Sequence, residues 1–330
     1  MLARLPRPSR AAMDRFVSLK AFVAVVNTGS FAAAAAKLGL SRAMTTKHIQ
    51  TLEETLGARL LNRTTRRLAL TEAGRAFHAR SERILADLEE AEAAVGDASA
   101  TPKGLLRVAA PMSFGVLHLG AAIADFMGEC PEMAVDLLLN DRTIDLIEEG
   151  VDVAVRIGRL SDSSLIAKRI APARIAVCAA PEYLARHGTP ATPDDLVKHA
   201  CLEYTLSARG QEWAFVDAEG RGKTVRVAGP LKANNGEVLM TAALAGRGIS
   251  CIPTFMAGPH LAAGRLVPVL VPEWQPEDIA IFAVYPPTRH LSAKVRRFVD
   301  FLADRFASPA WDATAESVVR PTKRAVGARR

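Results

Sequence analysis

Apolar positions in the first third of the chain recur at helical spacing. Phe16, Leu19, Phe22, Val23 and Val26 share one face, and Gly29 ends that helix. Ser30 is placed to cap a second helix, FAAAAAKL, whose alanines allow close helix–helix approach. Gly39 supplies a turn, and Ser41 caps a third helix running to about Leu56. The inner face of that helix is Thr45, Ile49, Leu52 and Leu56, spaced 4, 3, 4. Its outer face is Arg42, Ala43, Thr46, Lys47 and Gln50, small or polar and without a large apolar side chain. Two short β-prone runs then flank Asn62–Arg67, which predicts a hairpin with Arg63, Thr64, Arg66 and Arg67 near its tip. From Thr71 to about Ala98 there is no proline. Phe77, Ser81, Ile84, Leu88, Ala91 and Val95, spaced 4, 3, 4, 3, 4, predict a coiled-coil seam on a long helix. At 1.5 Å per residue that rod is on the order of 40 Å long. Packing on the chain's own body and pairing with a second chain both account for the seam.

After a linker at 97–104 the pattern changes to a strand–helix rhythm. Strands are predicted at 105–111, 134–140, 151–158, 173–180, 249–253 and 277–285, with a further one at TVRVA. Helices are predicted at SFGVLHLGAAIADFM, at the short TIDLIEEG, at 236–246 and at the closing LSAKVRRFVDFLADRF. This alternation is α/β, with a parallel sheet covered by helices.

Charge is uneven in a way that matters. Residues 1–75 hold 13 Lys and Arg against 4 Asp and Glu, residues 76–306 hold 24 against 29, and residues 307–330 hold 5 against 2. One basic module is therefore suited to a polyanion, although a solvated basic surface would show the same balance. The leading MLARLPRPSRAA is basic, broken by Pro6 and Pro8, and lacks the apolar core of a secretory signal. It reads as a disordered arm or an early start, with an organelle transit peptide as the compositional alternative, since Met13-Asp14 opens the first regular helix. No apolar stretch approaches the roughly 20 residues of a membrane span. The four cysteines, Cys130, Cys178, Cys201 and Cys251, have no C-x-x-C spacing and fit a reducing cytosol.

Two helices joined by a tight turn, the second with an exposed polar face, make a helix-turn-helix, whose second helix enters the major groove of DNA. Arg and Lys suit guanine, Gln suits adenine, and Thr suits a thymine methyl or a phosphate. The hairpin donors would lie along phosphates, or form a solvated arginine turn. The segment GSFAAAAAKLGLSRAMTTKHIQTLEETLGARLLNRTTRRLALTEAG resembles the winged helix-turn-helix of LysR-type transcriptional regulators from Asp14 to Gly74. That family's third helix often reads S-P-S-A-V-S-R-Q-I; here Ser41 to Ile49 reads SRAMTTKHI, so the preferred base sequence differs. The segment RVAAPMSFGVLHLG…ND-R…VDVAVRIGRL…DSSLIAKRIAP is similar to the effector domain of the same family.

The resemblance implies a two-lobed effector domain of periplasmic-binding-protein type 2 architecture behind the winged helix-turn-helix and a long linker helix. The division is an extension at 1–12, the DNA-binding domain at 13–72, and the linker helix and hinge at 73–103. The effector domain follows at 104–306, with lobe I at about 104–172 and 281–306 and lobe II at about 173–280, and a basic flexible tail covers 307–330. The two crossovers are expected near 173–180 and 277–285. It implies a homodimer or homotetramer in the bacterial cytoplasm on inverted-repeat double-stranded DNA, with RNA polymerase as a candidate partner and a small-molecule effector, an organic acid among the candidates. Candidate DNA contacts are Ser30, Ser41, Arg42, Ala43, Thr46, Lys47, Gln50, Arg63, Thr64, Arg66 and Arg67. Ligands of such folds sit at the carboxyl ends of strands. Candidate effector contacts are therefore Ser113, Asn140, Arg142, Arg156, Gly158, Asn235, Gly236 and Pro253. The plainer readings are a helix cap for Ser113 and Asn235 and a structural ion pair for Arg156.

Enzyme motifs fail. There is no H-E-x-x-H and no G-x-S-x-G, the seven histidines have no ligand spacing, and no metal or cofactor is expected. Gly222-Lys223-Thr224 mimics a P-loop end, but Asp217 stands where the leading glycine belongs. Cys178 and Cys201 are either a redox switch or inert buried thiols. The rival functions are a small-molecule binding protein or an enzyme on the two-lobed scaffold, with an incidental basic head.

Overall fold

The structure is a computed structural model and describes residues 10–64, 67–96, 102–159, 164–207, 209–287 and 291–311. The chain divides into two compact units, 1–100 and 101–330.

The first unit starts with α1 (Arg10–Thr28), three residues earlier than Met13. It continues with α2 (Phe31–Leu38) and α3 (Arg42–Leu56). Ser30 Oγ accepts from Ala33 N, and Ser41 Oγ accepts from Met44 N at 3.1 Å, so each hydroxyl satisfies an orphan helix-start amide. Gly39 and Gly57 close the two helices at φ +65° and +63°, the left-handed conformation that a side chain would strain. Phe22, Val25, Ala34, Ile49 and Leu52 form the centre of this core. Phe16 is exposed, because the buried stripe of α1 runs through Leu19, Phe22 and Val25. Strands β1 (Leu61–Thr64) and β2 (Arg67–Leu70) pair antiparallel, Leu61 opposite Leu70 and Thr64 opposite Arg67.

Helix α4 (Glu72–Gly96) follows. Its Ser81 and Leu85 are buried and Phe77 packs on the core, while Ile84 stays 48% exposed. Within one chain the buried spacing is thus 4, 4 from Phe77, not the expected 4, 3. Asn27 strengthens the α1–α4 contact by accepting from His78 Nε2 at 3.0 Å and donating to Glu82 at 2.9 Å.

The second unit opens with β3 (Gly104–Ala110). A helical run follows, made of α5 (Met112–Phe114), a π-helical turn (Gly115–Leu119) and α6 (Gly120–Glu129). Next come β4 (Met133–Leu139), β5 (Val153–Gly158) and β6 (Ile166–Ala173). TIDLIEEG forms a single turn, not the expected helix. The Asp145 carboxylate accepts from the amides of Ile147 and Glu148, and Gly150 at φ +70° stops the chain there.

The chain continues through β7 (Ile175–Ala179), α7 (Pro181–His187), β8 (Cys201–Tyr204), β9 (Glu212–Asp217), β10 (Gly222–Arg226) and β11 (Lys232–Ala233). Then come α8 (Gly236–Leu244), β12 (Ile249–Pro253), α9 (Thr254–Ala262), β13 (Val267–Pro268), β14 (Trp274–Pro276), β15 (Ile279–Tyr285) and α10 (Ala293–Arg305). One sheet runs β4-β3-β5-β15-β6, a second runs β11-β8-β12-β7-β13, and a three-stranded sheet runs β10-β9-β14.

The chain leaves the first sheet at Arg174, between β6 and β7, and returns at Glu277–Asp278, between β14 and β15. These are the two crossovers between the lobes. The expected loose tail is packed at its beginning. Trp311 is buried, its ring centroid lies 4.4 Å from that of His118, and its Nε1 donates to Pro172 O. Residues 312–330 and 1–9 of the predicted tail and extension lie outside the described residues.

Candidate nucleic-acid interface and effector cleft

Helix α3 separates its two faces cleanly. Thr45, Ile49 and Leu52 are buried, and Ser41, Arg42, Ala43, Lys47 and Gln50 are exposed. Thr46 is half-buried, with its hydroxyl donating to Arg42 O at 2.9 Å. One residue departs from expectation: Met44 is 49% exposed beside this face, a large apolar side chain where only small and polar ones were predicted. It falls outside the 4, 3, 4 stripe that fixes the inner face, so the spacing already marked it as outward. Such a side chain suits a thymine methyl.

The helix is held from behind by contacts that the sequence pattern did not single out. His48 Nδ1 lies 3.0 Å from Ser18 Oγ on α1. Glu53, 9% exposed, accepts from Leu60 N at 2.8 Å and Leu61 N at 3.1 Å, both on Oε1. A buried carboxylate thus fastens the start of the hairpin to the end of α3. Ser30 and Ser41 spend their lone pairs on helix caps and keep their O–H donors. Of the hairpin candidates, Arg66 lies outside the described residues, as do the side chains of Arg63, Thr64 and Arg67. The backbone register still places Arg63 opposite Leu68.

The second unit holds a cleft of about 580 Å³ between its lobes. Ser113, Asn140, Arg142, Arg156, Gly158, Gly236 and Pro253 all line it, brought together by the carboxyl ends of β3, β4, β5 and β12 and the start of α8. Ser113 is only 6% exposed, and its hydroxyl makes no hydrogen bond to another described residue. Arg156 donates to Ile144 O, and neither it nor Arg142 has an acidic partner among the described residues.

Asn235 is the exception and does not line the cleft. Its Oδ1 accepts from Glu237 N and Val238 N, capping α8, and its Nδ2 donates to Asp141 Oδ2 at 2.9 Å. The other oxygen of Asp141 accepts from Met112 N at 2.8 Å. Asp141 therefore joins the start of α5 in one lobe to the cap of α8 in the other, a role that position in the chain did not reveal. Burial first, and the Asp141 charge second, push the Tyr204 phenol in the cleft wall up to about 12. At neutral pH it is a hydrogen-bond donor.

Cys178 and Cys201 do not make a switch pair. Cys178 is opposite Ser250 and Cys201 opposite Ile249, and consecutive strand residues face opposite sides, so the two thiols lie on opposite faces of one sheet. Burial raises both to about 12. The P-loop mimic lies on β10, with Lys223 paired to Asp194 at 2.9 Å. Among the described residues no group of three or more His, Cys, Asp or Glu is arranged to hold a metal ion. No described helix is long and apolar enough to cross a membrane.

Residues 16–75 match the bacterial regulatory helix-turn-helix protein, lysR family, and residues 99–307 match the LysR substrate binding domain. The chain belongs to the LysR family of transcriptional regulators. It is a DNA-binding transcriptional regulator with an effector-binding domain. Family members bind DNA and small-molecule effectors and form oligomers.

It is 37% identical over 291 residues to the HTH-type transcriptional regulator CrgA of Neisseria meningitidis serogroup C (strain 8013), covering 88% of this chain and 96% of that one. It is 35% identical over 292 residues to the HTH-type transcriptional regulator DmlR of Escherichia coli (strain K12), covering 88% and 94%. Among solved structures, CrgA from Neisseria meningitidis superposes with a TM-score of 0.57 at 36% identity, over 88% of this chain and 98% of that chain. Full-length AphB, the Vibrio cholerae virulence activator, gives 0.55 at 30% identity, over 88% and 99%. These relatives are regulators, in keeping with a LysR-type fold of winged helix-turn-helix and two-lobed regulatory domain.

Proposed function

We propose that α3 lies in the major groove of an inverted-repeat operator, read by a dimer or a dimer of dimers in the bacterial cytoplasm. Arg42, Ala43, Thr46, Lys47 and Gln50 face base edges. Ser30, Ser41 and the hairpin residues Arg63, Thr64, Arg66 and Arg67 hold phosphates. The observation that carries this reading is the exposed, mainly polar face of α3 standing opposite the buried Thr45, Ile49 and Leu52. The chain performs no chemistry and answers to an organic acid in the cleft. The charge of Arg142 and Arg156, free of acidic partners among the described residues, supports an anion, and so does the unengaged Ser113 hydroxyl at the start of a helix. Gly158, Gly236 and Pro253 shape the walls around it.

A gel shift on the promoter region beside the gene tests the DNA arm. Binding should weaken steeply with salt, as counterion release requires. A variant with Arg42, Thr46 and Lys47 all replaced by alanine should remain folded and lose sequence preference. Undiminished, salt-insensitive binding by that variant would overturn the reading. An effector can shift operator binding only by its differential affinity for two lobe arrangements, so ligand and operator titrations should be coupled reciprocally.

A further inference from the structure

At the mouth of the cleft a single carboxylate oxygen is shared by two guanidinium groups. Arg159 Nη1 donates to Glu277 Oε2, and Arg209 Nη2 donates to the same oxygen at 3.1 Å. All three residues line the cleft. They come from different parts of the unit. Arg159 follows β5 in the first lobe, Arg209 lies in the turn between β8 and β9 in the second, and Glu277 sits on the return crossover. Two like charges meeting at one point need an anion between them. Glu277 is 33% exposed on its side chain, and both arginines are more open still. Exposed ion pairs of this kind are weak, so the resident carboxylate can be exchanged for another.

We propose that Glu277 is an internal competitor for a carboxylate of the effector, and that Arg159 and Arg209 are the residues that receive that carboxylate. The proposal rests on the reading of the cleft as an organic-acid site and adds the residues that select the anion. A ligand carboxylate between Arg159 and Arg209 gives the two guanidiniums the same charge-assisted bonds that Glu277 gives them. It also releases Glu277, and Glu277 lies on one of the two strands of chain that join the lobes. Occupancy of the site is therefore tied to the hinge: a carboxylate held by one arginine from each lobe fixes their spacing, while the crossover loses the side-chain anchor that Glu277 provides.

The test uses the full chain and four probes, acetate, malonate, succinate and glutarate, titrated at constant ionic strength by calorimetry, with succinamide as the neutral control. Glu277→Gln keeps the shape and removes the competing charge. At least one carboxylate probe should bind Glu277→Gln tighter than the natural chain by roughly three- to thirtyfold, the range set by two exposed ion pairs. Succinamide should show no gain. Arg209→Ala should weaken the same probe by about three- to tenfold, and Arg159→Ala added to Glu277→Gln should abolish the gain. Equal affinity of Glu277→Gln and the natural chain for all four probes would overturn the proposal, as would an equal gain for succinamide or no binding of any probe. Retained salt-sensitive operator binding in the same preparations would show that only the clasp had failed and that the regulator reading stood.

Discussion

Glu53 offers the sharpest test of how the reading head is built. Its Oε1 is the acceptor for two backbone amides, Leu60 N and Leu61 N, at 2.8 and 3.1 Å. Leu60 and Leu61 are 1% and 2% exposed, so both amides are shielded from solvent and depend on the Glu53 oxygen for their acceptor. Leaving a buried donor unsatisfied costs about 1–3 kcal/mol. Glu53→Ala therefore should destabilise the first unit by about 2–5 kcal/mol, allowing for some relaxation of the hairpin. Against the roughly 5–15 kcal/mol of a whole domain that is a large loss. Glu53→Gln keeps an oxygen in the same place and loses only the charge assistance, an expected cost of about 1 kcal/mol.

Urea unfolding of the full chain, together with native-state hydrogen exchange at Leu60 and Leu61, measures both. Protection of these two amides should collapse in Glu53→Ala and persist in Glu53→Gln. Operator affinity should fall in the alanine variant because the hairpin is no longer fixed to α3. If Glu53→Ala unfolded like the natural chain and kept both amides protected, the argument from buried donors would be refuted.

Other consequences follow from the same structure. Lys47→Ala, removing a side chain placed on a base edge, should cost about 1–3 kcal/mol of operator affinity and relax the preference at one base pair, read from gel shifts on a set of single-base operator variants. Gly74→Ala should destabilise the first unit by about 1–3 kcal/mol or more on urea unfolding, for overpacking against rigid neighbours costs that much. Its new Cβ would stand 2.0 Å from Leu60 O, a backbone atom that cannot swing aside. The Cys178 and Cys201 thiols, raised to about 12 by burial, and that of Cys251, raised further, stay protonated at pH 8. A disulfide-exchange reagent at that pH should leave the buried Cys178 and Cys201 unmodified in the native chain and label them once it is unfolded in guanidinium; fast native labelling of these two would contradict the assignment.

Local pattern made much of this legible. The inner stripe of α3, the two serine caps, β12, β15 and α10 follow from spacing and capping chemistry that operate within a few residues. The cleft was legible to the extent that strand ends mark it, which is how Ser113, Arg156 and Pro253 fell on its wall. What escaped depends on partners far along the chain. Arg159 and Arg209 meet Glu277 across 118 and 68 residues, and Asn235 meets Asp141 across 94. Strands β8, β13 and β14 are only four, two and three residues long, and sheet pairing rather than propensity defines them. In α4 the choice of Leu85 over Ile84 depends on where α1 lies, which periodicity alone does not contain.

The clean division of α3 carries a consequence for how such a regulator changes its targets. Arg42, Ala43, Lys47 and Gln50 contribute nothing to the core, whereas Thr45, Ile49, Leu52 and Glu53 hold the helix in place. In the proposed reading of α3 as the base-contacting helix, address and chassis are thus separate sets of positions on one fifteen-residue rod. New binding preferences can accumulate by exchanging the first set at little thermodynamic risk, so descendants of one ancestor can diverge in the genes they govern while folding identically.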